Sequence, residues 1–185
     1  MTKTVLLKAV AGVFFLIYPF IVYVGLEAFE PKWFALLLFT LAVIRLLASK
    51  DQGNMKFYWL GAAGLVLLAT LLTGSPLGLY LYPVIVSLIF FSFFFSSLYY
   101  PPTIIERFAR KFDPELSPEG VRYTRTVTKV WCIFFLTNAS LSIISLQISQ
   151  QYWLLYNGFI SYCLMGTLFA CEYLIRRRVM SVNDA

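Results

Sequence analysis

Residues 101–131 read PPTIIERFARKFDPELSPEGVRYTRTVTKVW. This is the one long stretch of the chain whose polar and charged residues have to be solvated by water. The two prolines that open it stop the apolar run before them, because proline lacks the N–H donor and its ring clashes with the preceding helical turn. Thr103 stands three residues before Glu106, which predicts a capping box at the start of a short helix. We therefore expect residues 101–129 to form an amphipathic loop between apolar segments.

The short helix carries apolar and cationic residues on different faces. Its apolar face is expected to contain Ile104, Ile105, Phe108 and Phe112. A helix with this pattern lies in the membrane surface with its apolar side towards the lipid tails. A second helix start is predicted at Ser117-Pro118, where a serine N-cap precedes a proline at the first helical position.

The cations of the loop have two interpretations. They can hold the loop on the cytoplasmic side of the membrane, or they can form a binding face for anionic lipid headgroups or an acidic partner. The candidate lipid- or partner-binding residues are Arg107, Arg110, Lys111, Arg122 and Arg125.

The rest of the chain is apolar: 60% of the 185 residues are hydrophobic, and the mean hydropathy is +0.77. A soluble domain is only roughly half apolar. We expect an all-α, polytopic transmembrane bundle that forms a single integral membrane domain over residues 1–185. A helix needs about 20 residues to cross the hydrocarbon, and the six expected segments are about residues 5–24, 33–48, 57–72, 77–100, 130–148 and 153–175. The second and third are short, so each is expected to gain a turn from its flanks.

The distribution of lysine and arginine predicts the orientation. With the N-terminus in the cytoplasm, Lys32 is the only one of the 15 cations that falls outside. The positive-inside rule therefore favours six segments, with both termini cytoplasmic, in the inner membrane of a bacterium. Trp33, Trp59, Trp131 and Trp153 each stand near the start of an apolar segment, which predicts an aromatic belt at the membrane surfaces.

The residue types exclude several kinds of chemistry. The chain has no histidine, which excludes histidine bases, histidine metal ligands and serine–histidine triads. Cys132, Cys163 and Cys171 lie in apolar segments without metal-ligand spacing, so we interpret them as packing residues. We expect no cofactor, no metal and no catalytic residue. The net charge of +6 reflects membrane topology rather than nucleic-acid binding.

Polar residues inside the membrane form two candidate sites. Asn138, Ser142 and Ser145 are spaced at helical intervals and form an intramembrane polar stripe, which indicates either hydrogen bonds between helices or a polar path for a substrate. Glu172 lies four residues before Arg176, which predicts an ion pair. A catalytic carboxylate facing the basic loop is the alternative for Glu172.

Residues 116–178 contain LSPEGVRYTRTVTKVWCIFFLTN and LYNGFISYCLMGTLFACEYLIRRR. They resemble a family of small bacterial inner-membrane proteins that are often encoded in gene clusters for aryl polyene pigments. The matching residues include Tyr123, Thr124, Arg125, Trp131, Asn138, Tyr156, Asn157, Gly158, Glu172 and Arg176. That family has no assigned catalytic residues, so none is carried over.

A second resemblance, to the septation protein A family, rests on the basic loop and on the order of Trp131, Phe134, Phe135 and Asn138. That family is associated with envelope maintenance. The resemblances imply a role in envelope or lipid-pigment biosynthesis. The basic, amphipathic loop and the missing catalytic constellation favour a non-enzymatic membrane protein that acts there as an anchor or scaffold for cytoplasmic enzymes. The alternatives are a small transporter or flippase subunit for a lipid-linked product, and an intramembrane transferase that uses Glu172. The expected partners are membrane lipids, cytoplasmic biosynthetic enzymes and a second copy of the chain.

Overall fold

The protein is all-α in the part that the structure, a computed structural model, describes: residues 19–26, 29–48 and 55–183. Residues 19–26 form helix α1. The elements that follow are α2 (Pro31–Ala48), α3 (Met55–Thr73), α4 (Leu77–Tyr99), α5 (Ile104–Ala109), α6 (Pro118–Ile148), α7 (Gln150–Leu155), a π-helical segment (Tyr156–Ile160) and α8 (Ser161–Asn183). The expected fold class is confirmed at this level.

Three helical stretches within the described residues are long and apolar enough to cross a membrane, judged by length and composition. They are Leu77–Tyr99, Pro118–Ile148 and Gln150–Arg176. Large apolar side chains such as Leu88, Ile133 and Leu164 are exposed on them, as contact with lipid tails requires. Six crossings and cytoplasmic termini stay predictions. Of the first expected segment, residues 5–18 lie outside the described part of the chain.

The helices cover the described parts of the expected segments, and the sixth is divided among α7, the π-helical segment and α8. The second and third segments gain residues from their flanks, since α2 begins at Pro31 and α3 covers Met55–Thr73. The start predicted at Pro118 is the start of α6, with the N–H of Gly120 donating to the hydroxyl of Ser117 at 3.2 Å. This helix runs without a break from the loop into the apolar segment.

The contacts divide the chain into two compact units. Unit 1 consists of Met1–Val86 and Leu141–Gly158, and unit 2 consists of Ser87–Ser140 and Phe159–Ala185. The single domain expected over residues 1–185 stays a prediction.

The core of unit 1 forms around Trp153, which is fully buried. Val22, Val66, Leu79 and Tyr80 belong to the same cluster of buried side chains. The rings of Tyr80 and Trp153 meet edge to face with centroids 4.9 Å apart. Because lipid tails are as apolar as these side chains, van der Waals packing rather than transfer out of water holds such a core together.

The turn between α3 and α4 depends on two glycines. Gly74 has φ +63°, a left-handed conformation that glycine adopts without strain, and its N–H bonds the Thr70 carbonyl oxygen at 3.0 Å. A Cβ on Gly78 would lie 2.5 Å from the hydroxyl oxygen of Thr70 and 2.6 Å from the carbonyl oxygen of Val66. Gly78 therefore permits a close approach of α4 to α3.

The core of unit 2 is aromatic. Trp131 and Phe135 of α6 pack against Phe94 of α4, and the ring centroid of Phe94 lies 5.1 Å from that of Phe135. Phe169 of α8 lies 4.6 Å from Trp131 between ring centroids. Ile105 of α5 packs on the same cluster. The short helix α5 is thereby fixed to the helices of unit 2.

The aromatic belt expected from four tryptophans is wrong for two of them. Trp131 and Trp153 are 4% and 0% exposed and form the two cores, whereas Trp33 is 58% exposed. The side chain of Trp59 lies outside the described part of the structure. Trp153 can be buried because its indole N–H finds a carbonyl oxygen inside the protein.

Candidate functional site

Glu106 is a buried carboxylate in the segment between α4 and α6. Its side chain is 8% exposed, and one of its oxygens accepts hydrogen bonds from Arg110 Nε at 2.9 Å and from Nη2 at 2.8 Å. Thr103 caps α5: the Glu106 N–H donates to the Thr103 hydroxyl, and the Thr103 N–H donates to the Glu106 carboxylate, both at 3.3 Å. The predicted capping box is confirmed, and the ion pair fixes the start of the segment.

Arg110 belongs to this internal arrangement. Besides Glu106 it binds the carbonyl oxygen of Pro114, to which Nη1 donates at 3.3 Å. The sequence grouped Arg110 with four other cations as a lipid- or partner-binding residue. The guanidinium of Arg110 connects α5 with the turn that follows, and a role of Arg110 in binding a lipid or a partner stays a prediction.

The first three turns of α6 have one basic face and one buried face. Arg122, Arg125 and Lys129 are exposed and lie on the same side, since they are spaced by three and four residues. Arg122 pairs with the exposed Glu119 at 2.8 Å. The opposite side carries the buried residues Thr124, Val127 and Thr128. We call Arg122, Arg125 and Lys129 the basic face of α6. Lys129 was not among the binding residues predicted from the sequence.

The helix α5 ends at Ala109, so Lys111 and Phe112, which were expected in the same short helix, follow it. Lys111 stands beside an exposed aromatic ring. Phe108 and Phe112 are 57% and 89% exposed, and the Lys111 ammonium lies 5.3 Å from the centroid of the Phe108 ring. The Arg107 Nε donates to the Pro102 carbonyl oxygen at 2.8 Å. The apolar face predicted for this helix is divided, because Ile105 packs in the core of unit 2 while the two phenylalanines are exposed.

The charge of residues 101–129 is positive but mixed, with six cations and four acids. Two of the acids, Glu106 and Glu119, are paired with Arg110 and Arg122. The described residues give Arg125 and Lys129 no ion pair. Two residues of the basic face of α6, Arg125 and Lys129, therefore contribute positive charge that no ion pair neutralises in the described part of the chain.

The predicted polar stripe does not behave as one set. In unit 2, Asn138 donates its amide to the Ser87 hydroxyl of α4 at 3.0 Å. In unit 1, the Ser145 hydroxyl bonds the carbonyl oxygen of Ser142 at 2.8 Å, whereas the hydroxyl oxygen of Ser142 is buried without a hydrogen-bond partner in the described structure. The bond between Asn138 and Ser87 is an interhelical hydrogen bond of the kind that membrane helices commonly make.

Asn157 is a polar residue to which sequence analysis gave no role. It lies in the π-helical segment, is 3% exposed, and donates its amide to the carbonyl oxygen of Trp153 at 3.0 Å. Its amide oxygen is buried and has no partner among the described residues. The sequence offers one local signal for this role, an asparagine beside a glycine in an apolar stretch, Asn157-Gly158.

Glu172 and Arg176 of α8 form the predicted contact at 3.8 Å, near the upper limit for an ion pair. Their side chains are 20% and 47% exposed. Tyr123 of α6 donates its hydroxyl to the backbone carbonyl oxygen of Glu172 at 3.2 Å. The hydrogen bond from Tyr123 thus connects α6 with α8 inside unit 2.

The cysteines divide between the core and the exposed surface. Cys132 is buried as expected for a packing residue, but Cys163 and Cys171 are exposed, and all three are free thiols. Within the described ranges no group of three or more cysteine, aspartate or glutamate side chains could hold a metal ion.

Comparisons with protein families, with curated proteins and with solved structures found no match to this chain.

Proposed function

We propose that this chain is a multi-pass protein of the bacterial inner membrane that anchors cytoplasmic enzymes of an envelope-lipid or pigment pathway at the bilayer. The observation that supports the proposal is the length and polarity of α6. The helix has 31 residues, whereas about 20 residues cross the hydrocarbon. Residues 130–148 carry no charge, so the part that extends beyond the hydrocarbon is the part that bears the basic face.

Under the positive-inside rule this end of α6 is cytoplasmic. A rigid helix continuous with the membrane segment would hold the basic face at a fixed height above the bilayer. Its buried side is fixed by packing of Val127 and Trp131 in unit 2. Arginine and aromatic residues are enriched in protein interfaces, and the exposed Phe108 and Phe112 are available in the same segment. An acidic enzyme surface is the partner that suits this chemistry.

The pathway in the proposal rests on the resemblance of residues 116–178 to the family from aryl polyene gene clusters. The partner enzymes would be those that build or modify the lipid-linked product. Anchoring would raise their concentration at the membrane, where that product is inserted. This role requires no catalytic residue in the chain itself.

The test is complementation of a deletion strain, read out as a mass-spectrometric profile of lipids and pigments. Arg122→Gln, Arg125→Gln and Lys129→Gln are combined in one variant. A second variant carries glutamate at the same positions. The control exchanges lysine and arginine at these positions and keeps the charge. We expect the control to restore the profile, the glutamine variant to restore it in part, and the glutamate variant to fail.

Membrane insertion and topology of each variant are measured by cysteine labelling, because reversing charges can also change topology. A correctly inserted glutamate variant that restores the complete profile contradicts the proposed anchoring role.

A further inference from the structure

Two polar atoms in unit 1 are buried and have no hydrogen-bond partner in the described structure. They are the hydroxyl oxygen of Ser142, a residue that is 1% exposed, and the amide oxygen of Asn157, a residue that is 3% exposed. Buried polar groups in proteins are nearly always hydrogen-bonded, and an unpaired one is more unfavourable in an apolar surrounding than in water. A donor that satisfies both atoms would remove this penalty.

The two residues lie at similar distances along the chain from Ser149, on helical elements before and after it. The one residue between α6 and α7 is Ser149, whose hydroxyl accepts the N–H of Tyr152 at 3.2 Å and caps α7. Ser142 is seven residues before Ser149 and Asn157 is eight residues after it. At about 1.5 Å per residue of helix, both stand about 10–12 Å along the helices from Ser149.

Both residues also lie on the packed sides of their helices. Leu146, one turn from Ser142, and Trp153, one turn from Asn157, belong to the same hydrophobic cluster of unit 1. Both helices therefore turn these sides towards one core. The polar atoms are next to that cluster along the helices.

The orientation of the Asn157 amide is fixed by its own hydrogen bond. The amide nitrogen donates to the Trp153 carbonyl oxygen at 3.0 Å. Rotating the amide by half a turn would place two oxygens against each other, so the oxygen has to stay the unpaired atom. Trp153 is fixed in turn by its bond to Tyr80. The amide oxygen of Asn157 is thus held in one orientation.

The backbone at Asn157 has a conformation that is often found at functional sites. Asn157 lies in a π-helical turn, and single π-helical turns inside α-helices occur frequently at functional sites. A Cβ on Gly158 would come within 2.9 Å of the Phe20 ring, so the glycine lets α1 approach the π-helical turn closely.

We propose that Ser142 and Asn157 form a polar binding site inside unit 1 for an uncharged hydroxyl group. The amide oxygen accepts a hydrogen bond from that hydroxyl, and the Ser142 hydroxyl donates to it or accepts from it. Residues 130–160, which include Ser142 and Asn157, contain no lysine, arginine, aspartate or glutamate, so this stretch offers no side chain that would neutralise a charged ligand. The hydroxyl belongs either to water or to a lipid alcohol. This site goes beyond the proposed anchoring role and does not depend on it.

The first measurement is the thermal unfolding of the full-length protein in detergent, with wild type compared with Ser142→Ala. The substitution removes only the unpartnered oxygen. If a hydroxyl is bound there, its loss lowers Tm by about 2–4 °C. If the oxygen is unpaired, its removal leaves Tm unchanged or raises it, and that result overturns the proposal. Ser140→Ala, on the same helix but exposed, is the control and should leave Tm unchanged.

The second measurement separates the two sources of the hydroxyl. Delipidated protein is heated with dioleoylglycerol, which has one free hydroxyl, or with its methyl ether, which has none. A rise in Tm with the alcohol alone, absent in Ser142→Ala, identifies a lipid alcohol. No rise with either compound, together with the lower Tm of Ser142→Ala, identifies water. If Ser142→Ala does not fold, Ser142→Cys keeps the volume with a weaker hydrogen-bonding group, and the same Tm criterion applies to it.

Discussion

The indole N–H of Trp153 donates a hydrogen bond of 3.1 Å to the carbonyl oxygen of Tyr80. Tyr80 lies in α4, three residues before Pro83. Proline lacks an N–H, so Pro83 makes no helical hydrogen bond to the carbonyl oxygen of Leu79, and its ring distorts the turn that contains Tyr80. A side chain from α7 thus contributes a hydrogen bond to α4 at the turn before the proline, while its ring fills the core of unit 1.

Replacing Trp153 with phenylalanine should destabilise unit 1. The change removes the donor to Tyr80 and part of the buried ring, which together cost about 2–4 kcal/mol. The measurement is unfolding of the purified protein by titration with a denaturing detergent. Trp33→Phe is the control, because Trp33 is 58% exposed and its change should stay within about 0.5 kcal/mol. Equal effects of the two substitutions would contradict the buried role of Trp153.

The close approach of α4 to α3 can be tested with Gly78→Ala, and Gly61→Ala is the matched control. Gly78→Ala should destabilise the protein by about 1–3 kcal/mol, because the new methyl group meets the hydroxyl of Thr70 and the carbonyl of Val66. Gly61→Ala meets no atom within 4 Å among the described residues and should stabilise α3 by about 0.5–1 kcal/mol. The same unfolding titration measures both. A neutral Gly78→Ala would mean that the two helices can separate without loss.

Local features of the loop were predictable from the sequence, because they depend on residues close together in the chain. The capping box of Thr103 and Glu106 follows from their spacing, and the start of α6 follows from Ser117 and Pro118. Glu172 and Arg176 likewise lie four residues apart on one helix. Each of these was expected and is found.

Features that depend on packing between distant segments were not predictable. The sequence could not show that Trp153 is buried in the core of unit 1, since its burial depends on a carbonyl group 73 residues away. It could not separate Ser142 from Ser145, because the two hydroxyls differ only in their surroundings. The role of Asn157 depends on a π-helical turn that no spacing rule indicates.

The buried pair of Glu106 and Arg110 should control how readily the loop opens. Hydrogen bonds to charged groups contribute about 1.5–3 kcal/mol, so Glu106→Gln should weaken the connection by that order. Cleavage by trypsin after Arg107 or Lys111 should become at least about ten-fold faster, because about 1.4 kcal/mol corresponds to a factor of ten. The rate is measured on protein in lipid nanodiscs by gel electrophoresis and mass spectrometry.

Glu119→Gln is the control for this experiment. Its carboxylate pairs with Arg122 as well, but the two side chains are 54% and 75% exposed. Exposed ion pairs contribute about 0–1 kcal/mol, so the trypsin rate should change little. If both glutamine variants are cleaved equally fast, burial of Glu106 does not set the stability of the loop.

The energy of the hydrogen bond between Asn138 and Ser87 can show whether Asn138 serves helix packing or transport. A double-mutant cycle with Asn138→Ala and Ser87→Ala isolates the pair from the other contacts of each residue. We expect a coupling energy of about 0.6 kcal/mol, the average for interhelical hydrogen bonds in membranes. Both single variants should then restore the lipid profile of a deletion strain, because a modest loss of stability leaves most of the protein folded. A coupling energy near zero, combined with loss of the lipid-linked product from the outer leaflet, would contradict the packing role and favour a polar path through this part of α6.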